Sequence, residues 1–290
     1  MLQLTTILVP VDFSERCIGA VRYAEAVARM FGSEMVLFYA LEPMRYDLSA
    51  FEFSGAVMTG LTQGRAEQAR AQLDAFMAGE LERVCVRRVL AEGDPAERIV
   101  GYAHSNHVDL IAMPTHGYGP FRRFILGSVT AKVLHDADCP VLTGVHMEDA
   151  RAPEAINLRT VLCAVDLGPQ SRKTACWAAH FADSIGARLV LTHAIPCIET
   201  QPGEYFDREL ADDLKRSSGE ELKKLCCMLD AEAEILVQSG DPPRTVCEAA
   251  ASSGADLLVI GRGSAAGVFG RLRTNAYSII RESPCPVVSV

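Results

Sequence analysis

No apolar run in this 290-residue chain approaches the roughly 20 residues that a membrane-spanning helix needs. The opening stretch, MLQLTTILVPVDFSE, lacks a basic segment ahead of its apolar one. No secretion signal is therefore expected, and the cytoplasm is the expected compartment. Basic charge is scarce: 28 Lys and Arg stand against 37 Asp and Glu, a net charge of −9. A nucleic-acid partner calls for a basic face, and Arg122-Arg123 is too short to supply one. The ten cysteines form no C-x-x-C pair, and the adjacent Cys226 and Cys227 lie in a helical stretch, where neighbours in sequence do not face each other. They are expected to be small hydrophobes in a reducing compartment, with no metal site. The phosphate-binding pattern G-x-x-x-x-G-K-[ST] is also missing.

What the chain does contain is a repeat of itself. Residues 6–41, TILVPVDFSERCIGAVRYAEAVARMFGSEMVLFYAL, align without a gap on residues 160–195, TVLCAVDLGPQSRKTACWAAHFADSIGARLVLTHAI. Asp12 meets Asp166, Tyr23 meets Trp177, and Gly32 meets Gly186. A second match pairs 93–113 with 240–260, and a third pairs CPVL at 139–142 with CPVV at 285–288. Two domains follow, 1–147 and 156–290. The polar segment around Pro153, HMEDARAPEAIN, is expected as a linker.

Each copy alternates short β-branched apolar runs with segments of helical period. TILVPV predicts a strand buried on both faces, Ser14 a helix cap, and Gly32 the end of that helix. Asp94-Pro95 opens a later helix. This alternation predicts an α/β fold, a parallel sheet with helices on both faces. Ligands of such sheets bind beyond the carboxyl ends of the strands. Asp12, Ala40 and the loop 114–127 lie at such ends. In MPTHGYGPFRRFILGSVTAKVL (113–134), Gly117 and Gly119 permit close backbone approach, and Gly127-Ser128 opens a helix whose free N–H groups suit phosphate oxygens. Asp12 is placed to accept hydrogen bonds from an adenine amino group or a ribose hydroxyl. His116, Arg122 and Arg123 fall in the same loop. Tyr23 and Trp177 are expected in the core, and His104 and His107 in solvent.

VPVDFS, the Thr-His-Gly loop, LGSV and the final CPV together resemble the universal stress protein family, over nearly the whole chain. The resemblance implies a five-stranded parallel sheet of order 3-2-1-4-5 in each of two tandem domains, of the adenine nucleotide alpha hydrolase-like, Rossmann-like type. It implies pairing of repeats through their fifth strands, with a homodimer of chains left open. It also implies, in members that bind it, ATP held by a Gly, two residues, a Gly, nine residues, then Gly-Ser or Gly-Thr. The first repeat matches at Gly117, Gly127 and Ser128, followed by Val129, with Pro114 in place of the first Gly. The second repeat keeps Asp166, Ala194, Gly261 and Gly263, but Ser264 stands for the second Gly and Arg273-Thr274 for Gly-Ser. ATP, with Mg²⁺ as its usual companion, is therefore expected mainly in the first domain. No general base is identifiable by spacing, so a regulatory ligand is expected, with slow hydrolysis at most. The competing expectation is an interaction platform for a protein partner without nucleotide, using the apolar loop 42–60 with Phe51 and Phe53. An adenylating ligase would need an S-G-G-x-D-S loop after strand one, and a phospho-receiver an acidic cluster there; neither is present.

Overall fold

The computed structural model describes residues 2–43, 55–116, 126–148, 151–195, 206–262 and 274–290. Gly117, Gly119, Arg122, Arg123, Phe51, Phe53, Gly263, Ser264 and Arg273 lie outside the described residues. In the first repeat the elements run β1 (Thr6–Pro10), α1 (Glu15–Phe31), β2 (Glu34–Leu41), α2 (Gly55–Ala75), β3 (Cys85–Glu92), α3 (Pro95–Ser105), β4 (Leu110–Ala112), α4 (Ser128–Asp136) and β5 (Val141–Thr143). The second repeat follows the same order. Its elements are β6 (Thr160–Ala164), α5 (Ser171–Ile185), β7 (Arg188–Ile195), α6 (Phe206–Leu229), β8 (Glu234–Ser239), α7 (Pro242–Ser253), β9 (Leu257–Ile260), α8 (Thr274–Glu282) and β10 (Val287–Ser289).

Local chemistry sets these boundaries, and does so twice except at the start of α5, whose N-cap Gln170 makes no side-chain hydrogen bond. The hydroxyl of Ser14 accepts the Cys17 N–H, and Gly32 closes α1 in the left-handed region at φ 69°. Gly186 ends α5 the same way at φ 67°. Asp94 and Asp241 cap α3 and α7 by accepting the N–H groups of Glu97 and Arg244, with a Pro in each first turn. Side chains alternate across the strands, so Ile7 and Val9 join one core while Leu8 joins the other. Helices α1, α2, α5 and α6 contribute to the first core and α3, α4, α7 and α8 to the second, giving three layers.

Within each repeat the strands are parallel and ordered 3-2-1-4-5, as the resemblance implied. The repeats pair through their fifth strands, as the resemblance also implied, and so make one sheet where two were expected. One ten-stranded sheet has the order β3-β2-β1-β4-β5-β10-β9-β6-β7-β8. Its seam is antiparallel, with Val141, Leu142 and Thr143 opposite Ser289, Val288 and Val287. The physical reason is the exposed edge that β5 and β10 would each otherwise present, a row of open N–H and C=O groups on a fully buried apolar strand. Two parallel halves joined antiparallel point their carboxyl ends in opposite directions along the strands.

The join between repeats also differs from a free tether. It forms 3-10 turns at Val145–Glu148 and Pro153–Ala155. Met147 is wholly buried in the core, with Ile156 and Leu158 beside it in the same cluster. Glu154 receives Arg29 at 2.7 Å and Arg83 at 2.9 Å, and the two guanidinium groups hold its carboxyl below the usual range. Its apolar residues are too widely spaced to show a period, which is why the segment looks like linker in sequence.

Candidate functional site

The first strand of each repeat ends in the same turn. Asp12 Oδ1 accepts the Ser14 N–H at 3.0 Å and the Ser14 hydroxyl at 2.6 Å. Asp166 Oδ1 accepts the Gly168 N–H at 2.9 Å and the Ser171 hydroxyl at 3.0 Å. Between each carboxylate and the N–H that it accepts sits a non-glycine residue in the left-handed region, Phe13 at φ 63° and Leu167 at φ 56°. Such a conformation costs on the order of 1 kcal/mol or more and persists only where its surroundings hold it. Phe13 is held by ring contacts with Tyr39 at 4.6 Å and Phe76 at 5.4 Å. The turn fixes one oxygen of each carboxylate just beyond the strand end.

In the first repeat, residues 114–116 and the start of α4 are brought together. The Gly127 N–H donates to Thr115 O at 2.9 Å, and the Thr130 hydroxyl donates to Pro114 O at 3.1 Å. A Cβ at Gly127 would lie 3.2 Å from His116 Cα and 3.3 Å from its Cβ, so the chain approaches closely here because residue 127 has none. Gly127 caps α4 without a side-chain hydrogen bond, which leaves the first-turn N–H groups around Ser128 and Val129 to other acceptors. His116 is buried, its Nδ1 2.8 Å from the Thr115 hydroxyl. Cys17, whose thiol lies 3.9 Å from Pro10 O at the end of β1, has its pKa pushed up to about 12 by burial, which disfavours the thiolate.

In the second repeat, Asp166 from the end of β6, Ala194 from β7 and Gly261 after β9 line one cavity of about 300 Å³. Ala164, Val246, Ile260 and Ile279 form apolar walls, and Gln170, Ser171, Thr174, His193 and Asn275 add polar groups. A cavity of this size falls at the lower end of small-molecule sites, roughly 300–1,000 Å³. His193 has its ring oriented by a 2.9 Å contact between Nδ1 and Val165 O. A Cβ at Gly261 would come within 2.9 Å of the Thr174 hydroxyl oxygen, so a side chain there would narrow the cavity. Thr274, the first residue of α8, adjoins the cavity residue Asn275. The walls suit a flat base and the polar groups suit a sugar; Asp166 can accept from either. The described residues therefore offer a small-molecule cavity in the second repeat, and a helix start with open N–H groups in the first.

Sequence reasoning missed His193, Thr174 and Asn275. The internal alignment places them opposite Tyr39, Ala20 and Val129, and only the folded cavity brings the three together. It also missed Arg262, which is buried and reaches into the other repeat. Of the aromatic pair expected in the core, Tyr23 is buried, and Trp177 is half-buried, stacked on Phe181 at 5.0 Å. His104 is exposed and pairs with Asp138 at 3.2 Å. Among the described residues no helix is long and apolar enough to cross a membrane.

Comparison with known proteins agrees with this fold. A universal stress protein of Thermus aquaticus is 35% identical over 137 residues, covering 47% of this chain and 96% of its own. A universal stress protein of Mycolicibacterium smegmatis is 25% identical over 296 residues, covering 98% of this chain and 96% of its own, and so shares the tandem length. The crystal structure of a universal stress protein from Archaeoglobus fulgidus superposes with a TM-score of 0.70 at 20% identity, covering 99% of this chain and 98% of that one. The model of the universal stress protein family matches twice, at residues 4–143 and 157–290. With both repeats matched, the chain belongs to the universal stress protein family.

Proposed function

We propose that this chain is a cytoplasmic regulatory protein of the stress response that binds ATP or a related adenine nucleotide, with the triphosphate held in the first repeat. The observation that carries the reading is the second-repeat cavity, where Asp166, Ala194 and Gly261 from three separate strands meet in a space of nucleoside size. The repeats share one topology, which supports a base and sugar at the same strand ends in either. At the equivalent strand ends the first repeat carries Asp12, Ala40 and Pro114, and it alone keeps Gly127-Ser128 at the helix start. When bound, the nucleotide supplies the charge and bulk to which a partner protein would respond. The chain's part is to receive the base beside Asp12 and the phosphates on the first turn of α4.

The test begins with heat denaturation of the purified protein and identification of released nucleotide. Calorimetric titration of the stripped protein with ATP and Mg²⁺ follows. About one site per chain is expected, lost in Gly127→Arg and retained in Thr274→Ala and in Gly261→Val, which narrows the second cavity. No released nucleotide and no heat at millimolar ATP would overturn the reading and turn the search to protein partners.

A further inference from the structure

The antiparallel seam sets the carboxyl ends of the second repeat's strands beside the amino end of β5. Arg262 follows Gly261, a wall residue of the second-repeat cavity, and its backbone is tied in by donation to Val290 O at 3.1 Å. Its side chain is buried at 4% exposure. The guanidinium crosses the seam and donates to Ala137 O and to Cys139 O, each at 2.6 Å. Ala137 is the C-cap of α4. A cation from the second repeat thus occupies the negative end of the helix whose positive end is the first repeat's candidate phosphate cradle. The helix spans nine residues, so about 13 Å of rigid rod separates the two ends.

The arrangement is not mirrored by symmetry. Position 137 corresponds to Ser283, and position 139 to Cys285. There the hydroxyl of Ser283 donates to Cys285 O at 2.7 Å, within its own repeat. Alanine has no hydroxyl to offer, and Arg262 serves the Cys139 carbonyl from across the seam. The residue matching Arg262 in the first repeat is Thr115.

We propose that Arg262 is a positioning residue for the first repeat's nucleotide site: it holds α4 by its carboxyl end, so the first repeat's cradle is complete only with the second repeat in place. This rests on the nucleotide reading for its consequence, but not for the clamp itself. The second repeat then has a defined use in the chain even though its own glycine motif has lapsed.

The experiment compares full-length Arg262→Met, and Arg262→Met with Ala137→Ser, against the parent. Two readouts are taken: amide hydrogen exchange by mass spectrometry, and ATP–Mg²⁺ titration. In Arg262→Met, the α4 amides are expected to exchange faster by about tenfold or more, since even one charge-assisted hydrogen bond exceeds that factor. The α8 amides should hold their rate, and ATP should bind more weakly by a similar factor. The hydroxyl introduced by Ala137→Ser should restore part of both, by serving Cys139 O as Ser283 serves Cys285. Unchanged α4 exchange, or α4 and α8 accelerated together, overturns the clamp. Faster α4 exchange with unchanged ATP affinity overturns its role in the site. A parent chain that binds no ATP removes the nucleotide reading and this consequence with it, while the exchange data still decide the clamp.

Discussion

Replacing Phe181 with alanine should destabilise the whole chain, not one repeat. Phe181 is 1% exposed, stacked on Trp177 at 5.0 Å and tilted against Phe31 of the other repeat at 5.3 Å. Tyr23, Val27, Leu110 and Leu142 of the first repeat and Leu257 and Val288 of the second surround a small void of about 10 Å³ beside it. That packing leaves the neighbours little room to collapse into the space of a lost ring. Phe→Ala in such a core costs about 3–5 kcal/mol, and each aromatic contact adds roughly 0.5–1.5 kcal/mol to what area alone gives. We expect the upper part of the range, a large share of a typical stability of about 5–15 kcal/mol. The assay is urea unfolding followed two ways. Fluorescence of Trp177, the single tryptophan, reports the second repeat, and far-ultraviolet circular dichroism reports both. Both curves should move together to lower urea. A fluorescence curve that moves while half the dichroism change stays in place would refute the continuous core, and so would a loss below about 1 kcal/mol.

Two further outcomes follow from local chemistry. Ser14→Ala removes both the cap on α1 and a hydroxyl donor to Asp12; a loss of about 1–2 kcal/mol is expected in the same urea assay. Glu25 is 3% exposed, and burial raises its carboxyl pKa against the pull of Arg29. A raised carboxyl pKa means that the folded state holds the proton more tightly. The group's favourable contribution is thus full below the unfolded pKa and is lost as pH rises through the folded one. Glu25→Gln should therefore raise Tm at pH 7, with the gain shrinking as the pH falls toward the ordinary glutamate range. A gain that stays constant down to that range, read by calorimetry, would show that charge is not the cause.

Much of the fold was legible because it rests on local signals used twice. Ser14, Gly32, Asp94 and Pro95 each act on backbone within a few residues, and the duplicated TILVPVD and TVLCAVD segments reinforce each other's period. The candidate site was legible in part for the same reason, since Asp12, Asp166, Gly127 and Gly261 sit at strand or helix ends. Thr174 and His193 carry no such mark. They reach the cavity only because β6, β7 and β9 lie side by side, and no spacing along the chain encodes that adjacency.

The sequence by itself therefore determined the repeat, the order of strands and helices, the caps, and the strand ends where a ligand belongs. These depend on neighbours in the chain and on the side chain each residue carries. Only the tertiary structure decided that the fifth-strand pairing is an antiparallel seam within one ten-stranded sheet, that the strands of the two halves point their carboxyl ends in opposite directions, and that Arg262 reaches Ala137 and Cys139. Those outcomes come from satisfying the open backbone groups of β5 and β10 and from burying a charge against carbonyls more than a hundred residues away. Such long-range pairings leave no periodic trace in the order of the amino acids.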